Sequence, residues 1–139
     1  MEDCVFCKMF TGEVETRKVY EDRDVIGVLD MAPRFAQGQC VVAHRRHVPQ
    51  FYDLEDEEVA HLFVGVKAVS KKIGEVFHTP IVSIFSRGIS VPTHNHILVF
   101  PATGEGPIDR VLGAFLAAEI VRQTTTAQLD EIAEKIRKA

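Results

Sequence analysis

The sequence predicts an α+β fold: about five short strands in an antiparallel sheet, one long helix inserted between strands, and helices at the C-terminal end. Three observations carry this. Short apolar runs bounded by turn residues recur through the first third and the middle of the chain. One long segment changes to a 3.6-residue period. The order is strands, helix, strands, helices, which describes segregated layers rather than alternating βαβ units.

Residues 4–10 open with Cys4-Val5-Phe6-Cys7, and Thr11-Gly12-Glu13 reads as a turn. Val19-Tyr20-Glu21-Asp22 and Val25-Ile26-Gly27-Val28-Leu29-Asp30 read as two strands of an antiparallel hairpin, joined by a tight acidic turn. Pro33 to Gly38 interrupts the pattern, and Gln39-Cys40-Val41-Val42-Ala43 is apolar enough to be a central strand. Cys40 is expected in the core. From Asp53, with acidic residues at 55–58 suiting a helix N-terminus, Val59, Leu62, Phe63, Val66, Val69, Ile73, Val76 and Phe77 recur at helical spacing. This stripe reads as core or dimer packing. Ile81 to Phe85 is a fourth strand, which pairs through the Ser86–Pro92 turn with a strand over Thr93–Pro101. Pro107 opens a helix carrying Ile108, Val111, Leu112, Phe115, Leu116 and Ile120. A last helix runs from about Thr126, its expected cap, to Lys138.

With 139 residues, 46% of them hydrophobic, the chain is expected to form a single domain over residues 1–139. A net charge of −4 argues against a broad nucleic-acid surface but leaves room for a small anionic ligand held by a few donors. No apolar run approaches membrane-spanning length, and Met1-Glu2-Asp3-Cys4 does not resemble a signal peptide, so a cytoplasmic protein with no membrane partner is expected. Three cysteines, two of them a Cys-x-x-Cys pair, suit a reducing compartment. The pair reads either as a metal clip or as two reduced, partly buried thiols.

The chemistry concentrates in Thr93-His94-Asn95-His96-Ile97-Leu98-Val99-Phe100-Pro101. On a strand, alternation places His94, His96, Leu98 and Phe100 on one face and Asn95, Ile97 and Val99 on the other. A neutral imidazole is a competent nucleophile near pH 7 when one ring nitrogen is left free. The preceding Arg87-Gly88-Ile89-Ser90-Val91-Pro92 offers a glycine turn, a hydroxyl and a guanidinium, which serve either a hairpin or an anion. Together these suggest phosphoryl or nucleotidyl transfer. His44, His61 and His78 are expected on the surface or on a helix face, and Arg45 and Arg46 form too small a basic patch to imply nucleic acid.

Several segments in order resemble the histidine triad family of nucleotide hydrolases and transferases: Cys4-Val5-Phe6-Cys7-Lys8, Val19-Tyr20-Glu21-Asp22, Val28-Leu29-Asp30, Gly38 before a strand, Arg46-His47-Val48, Tyr52-Asp53-Leu54, and His94-x-His96 ending in Pro101. The resemblance covers nearly the whole chain, including Ile132–Lys138. The family pattern His-x-His-x-His-x-x-Pro falls on positions 94, 96, 98 and 101. It implies that His96 is the nucleophile towards the α-phosphorus of a purine nucleotide conjugate, such as a dinucleoside polyphosphate or a nucleoside phosphoramidate. It implies that Asp30 binds ribose, that Ile26 and Leu29 wall the base pocket, and that His94 and the turn from Gly88 lie near phosphate. His47 matches a zinc ligand of the bacterial branch, so Cys4, Cys7, His47 and His94 are the candidate zinc ligands. The family is commonly homodimeric. Two positions depart from it, and the turn before the motif is also short and lacks the glutamine that commonly sits before the Ser/Thr-Val pair. Leu98 replaces the third histidine, and Gln39 stands where histidine is usual. Gln39, Arg87 and Ser90 are the side chains available in their place. Losing one positioned donor typically costs about 10²–10³ in rate, so the alternative to an enzyme is a nucleotide-binding protein with weakened or lost catalysis. A zinc-held partner module that binds no nucleotide is the third reading.

Overall fold

The computed structural model describes residues 4–86, 94–117 and 125–139. It contains a five-stranded sheet in the order β1-β2-β3-β5-β4, with every neighbouring pair antiparallel. The strands are β1 (Lys18–Glu21), β2 (Val25–Leu29), β3 (Cys40–His44), β4 (Val82–Phe85) and β5 (His96–Pro101). The hairpin, the central third strand and the β4–β5 pairing all match the sequence reading. β3 is central because Val42 and Ala43 are fully buried on its two faces.

Between β3 and β4 runs α2 (Asp56–Val76), whose Leu62, Val66, Val69 and Ile73 pack onto Val25, Cys40, Val42, Ile97 and Val99 of the sheet. Most of the apolar stripe is therefore core within one chain, whereas Val76 is exposed. Gly65 allows the close approach, since a Cβ there would sit 2.7 Å from Val25 Cγ1. The helix starts later than Asp53. Asp53 instead ends a 3₁₀ turn over Phe51–Asp53 and accepts from Gln50 N, while Glu55 caps α2 in a capping box with Glu58.

The other face of the sheet carries α1 (Val5–Thr11), a helix that the sequence reading had as an unassigned Cys-x-x-Cys segment. Cys4 and Phe6 pack there against Ile26, Val28 and Ala43. At the C-terminal end, α3 (Pro107–Ala117) and α4 (Thr126–Lys138) are present; Ile120 lies outside the described residues. The cap of α4 is Thr125 rather than Thr126: the Thr125 hydroxyl accepts from Gln128 N and the Gln128 side chain bonds back to Thr125 N. No helix among the described residues is long and apolar enough to cross a membrane.

Candidate functional site

Strand β5 begins at His96, two residues later than His94, which sits in a bend. Alternation holds from there on. Ile97 and Val99 face α2, whereas His96 and Leu98 face the α1 side opposite Ala43 and Val41. His94 and His96 both lie against the Phe6 ring, at centroid distances of 5.2 and 4.8 Å.

Their surroundings differ. His94 is 1% exposed, and burial, the largest influence on it, lowers its pKa and keeps the ring neutral. Its Nε2 lies 2.8 Å from the His44 carbonyl, an acceptor only, so Nε2 carries the proton and Nδ1 is left with a lone pair. That Nδ1 is 3.5 Å from Cys4 Sγ, 3.7 Å from Cys7 Sγ and 3.2 Å from His47 Nδ1, and Cys7 Sγ is 3.2 Å from His47 Nδ1. All four donor atoms lie within 4.8 Å of one another. A tetrahedral ion with bonds of about 2.3 Å to sulfur and about 2.0–2.1 Å to nitrogen needs edges of roughly 3.3–3.8 Å. The donor set therefore fits a four-coordinate metal ion. Burial first, then the neighbouring Cys4 thiol, pushes the Cys7 thiol up, and a bound cation would reverse that effect by favouring the thiolate.

Two features place His47 and His94 for this. Asn95 N donates to the Val48 carbonyl at 2.7 Å and Asn95 Nδ2 to the Arg46 carbonyl at 3.3 Å, so the segment carrying His47 is tied to the start of β5. His44 is not a surface residue as expected. It is 4% exposed, its Nδ1 accepts from Arg46 N, and its carbonyl orients His94.

His96 is half-buried and lies outside the cluster. Its Nδ1 is 3.0 Å from the His94 carbonyl, so Nδ1 is the protonated nitrogen and Nε2 is free to attack an electrophile. A small recess beside it is lined by Pro49, Gln50, Phe51 and Ser86. A cavity of about 590 Å³ opens on the opposite face of the sheet, lined by Leu29, Cys40, Val69, Ile73 and Phe77 among others. No imidazole lines it.

Asp30 follows β2. Its Oδ1 accepts from Ala32 N and its Oδ2 from Gln39 Nε2, while Gln39 Oε1 accepts from Phe35 N. Gln39 is 2% exposed, and both ends of its amide are engaged within this loop. Ile26 and Leu29 are not brought together. Ile26 packs under α1, while Leu29 points to the α2 face, because a spacing of three on a strand reverses the side. Leu98 is partly buried on the His96 face and offers no hydrogen-bond donor. Arg87 and Ser90 lie outside the described residues. Sequence reasoning missed Phe6, Asn95 and the His44 carbonyl as parts of the site. Only Phe6 left a signal, as an aromatic residue between the two cysteines.

An antiparallel five-stranded sheet that presents an imidazole at the start of β5 beside a Cys₂His₂ cluster defines an α+β protein with a candidate metal centre next to the strand that carries His96. Residues 11–105 match the HIT domain, and the chain belongs to the HIT family. It is similar to an uncharacterized HIT-like protein of Methanocaldococcus jannaschii, 38% identical over 74 residues, which are 51% of this chain and 57% of that protein. It is also similar to Protein hit of Bacillus subtilis, 29% identical over 76% of this chain and 74% of the relative. The adenosine 5'-monophosphoramidase hnt1 of Schizosaccharomyces pombe is 34% identical over 51% of this chain and 53% of its own length. Several of these matches thus span little more than half of the relative. The crystal structure of a HIT family member from Bacillus subtilis shares the fold, with 23% identity, a TM-score of 0.78, and coverage of 98% of this chain and 96% of that one.

Proposed function

We propose that the protein is a nucleotidyl hydrolase or transferase that attacks the α-phosphorus of a purine nucleotide conjugate, a nucleoside phosphoramidate or a dinucleoside polyphosphate, with His96 as nucleophile. The single observation that carries this is the tautomer of His96: the His94 carbonyl accepts from Nδ1–H, which leaves a lone pair on Nε2 at the edge of a small recess. Nε2 forms a bond to the α-phosphorus as the amine or phosphate leaving group departs with the bond electrons and takes a proton from solvent, which the later attack of water returns. Water then cleaves the nucleotidyl-imidazole to release nucleoside monophosphate and restore Nε2. Asp30, which keeps lone pairs after accepting from Ala32 N and Gln39, binds the ribose hydroxyls. The relative from Schizosaccharomyces pombe is named a 5'-monophosphoramidase and one from Arabidopsis thaliana an adenylylsulfatase, names consistent with adenylyl conjugates as substrates.

The Cys₂His₂ set and its edge lengths suit zinc, held by Cys4, Cys7, His47 and His94 in a structural role, since all four positions are filled by protein. A homodimer belongs to the same reading. Ile81 and Ile84, exposed at and beside the edge strand β4, support an interface there, and sedimentation of the purified protein tests it.

A second reading, a nucleotide-binding protein without turnover, draws on Leu98 and on Gln39, whose amide donates to Asp30 and accepts from Phe35 N. Incubation with adenosine phosphoramidate and diadenosine polyphosphates separates the two. Release that disappears in His96→Ala supports the enzyme, and binding without release supports the second reading. Turnover unchanged in His96→Ala rejects the proposed mechanism.

A further inference from the structure

The short helix α1 links the metal cluster to His96. It spans only seven residues, too few to be stable by itself in water. What holds it to the sheet is the packing of Cys4 and Phe6 on Ile26, Val28 and Ala43, the cluster contacts of Cys4 and Cys7 with His47 and His94, and Phe10 under the Arg45 guanidinium, 4.8 Å from its ring centroid. Phe6 lies between the two cysteines and is 7% exposed. Its ring stacks on His96 with an interplanar angle of 21° and on His94 with one of 30°. The His94 carbonyl in turn accepts from His96 Nδ1–H. The cluster therefore reaches His96 along two routes, a backbone carbonyl that fixes the tautomer and an aromatic face that fixes the plane of the ring.

We propose that Phe6 is a positioning residue, pressed onto the His96 imidazole by metal-bound Cys4 and Cys7, so that the ion governs the aim of Nε2 as well as the anchoring of α1. The inference rests on His96 being the nucleophile. A ring fixed on one side by Nδ1 alone can still pivot about that hydrogen bond, and a misplacement near 1 Å costs on the order of 100-fold in rate. Stacking against Phe6 removes that freedom without touching substrate.

The test uses the whole 139-residue chain, zinc-loaded, and its Phe6→Leu and Phe6→Tyr variants, with zinc content measured alongside kinetics on adenosine phosphoramidate. Phe6→Leu keeps its zinc, loses kcat by about 10–100-fold and leaves KM nearly unchanged, while Phe6→Tyr, which retains the aromatic face, recovers most of kcat. In parallel, NMR of the wild-type imidazoles follows the His96 ring on removal and return of zinc. Its carbon-bound proton resonances shift reversibly in the wild type and by much less in Phe6→Leu, where only the carbonyl route remains. Zinc-replete Phe6→Leu with wild-type kcat overturns the inference, as do His96 resonances in the wild type that ignore zinc. Should Phe6→Leu fail to fold, the wild-type resonances alone decide. Turnover that needs His96 but not Phe6 leaves the proposed function standing, whereas zinc-sensitive His96 resonances in a protein that releases nothing overturn the function and not the coupling.

Discussion

Replacing Gln39 by leucine isolates the point where this chain departs from its family beside Asp30. The side chain is 2% exposed, so leucine occupies nearly the same space but can neither donate to Asp30 Oδ2 nor accept from Phe35 N. A hydrogen bond to a charged group contributes about 1.5–3 kcal/mol and a neutral one about 0.5–1.5, so the variant should lose about 2–4.5 kcal/mol. Against a total stability of about 5–15 kcal/mol that is a large fraction. With a urea slope of about 1–3 kcal/mol per molar, the denaturation midpoint falls by at least about 0.7 M. Gln39 has no bond to His96, so kcat per folded molecule should hold while KM rises, because Asp30 loses the partner that orients it. A stability loss under about 1 kcal/mol would refute the bonding argument. A collapse of kcat at constant KM would place Gln39 at the phosphate instead.

Three further outcomes follow from the same geometry. His47→Ala removes one of four donors and should abolish stoichiometric zinc, measured by competition with a chromogenic chelator, while the β-sheet signal in circular dichroism persists. Cys40 is a core thiol whose pKa burial pushes up to about 11 from 9.0; the unfolded chain therefore loses this proton first, and the contribution is fully present below pH 9 and lost as pH rises towards 11. Comparing the pH dependence of urea midpoints with Cys40→Ala should show a shallower decline in the variant, and equal slopes would deny the burial effect. Gly38→Ala meets both a φ of +84° and a Cβ position 2.1 Å from Phe77 Cζ, so its melting temperature should fall by several degrees, for a cost of about 1–3 kcal/mol.

Much of the fold is legible because burial imposes period. β2, β3 and β5 each send alternate residues to α2, and α2 returns a stripe at 3.6 spacing, so both patterns stand in the chain. The short helix α1 was not legible. Seven residues hold too few turns for a period, and its two cysteines carry a ligand pattern instead of a helical one. Capping shows a similar limit. Asp53 is a good helix opener, but the 3₁₀ turn at Phe51 uses it first, and the choice between Thr125 and Thr126 depends on which hydroxyl meets Gln128 N. At the site, alternation separates His96 and Leu98 from Ile97 and Val99. The same alternation explains why Ile26 and Leu29 face apart, although they lie close in sequence. The His44 carbonyl has no side-chain signature, and the stacking of Phe6 on His96 joins residues 90 positions apart, so neither was open to a reading of spacing.

The nucleophile itself is the part most open to direct observation. Rapid acid-free quenching of the protein with adenosine phosphoramidate, followed by peptide mass spectrometry, should find an adenylyl group on the peptide bearing His96, absent from His96→Ala. Steady turnover with no nucleotidylated peptide, and equal turnover in His96→Ala, would contradict the account.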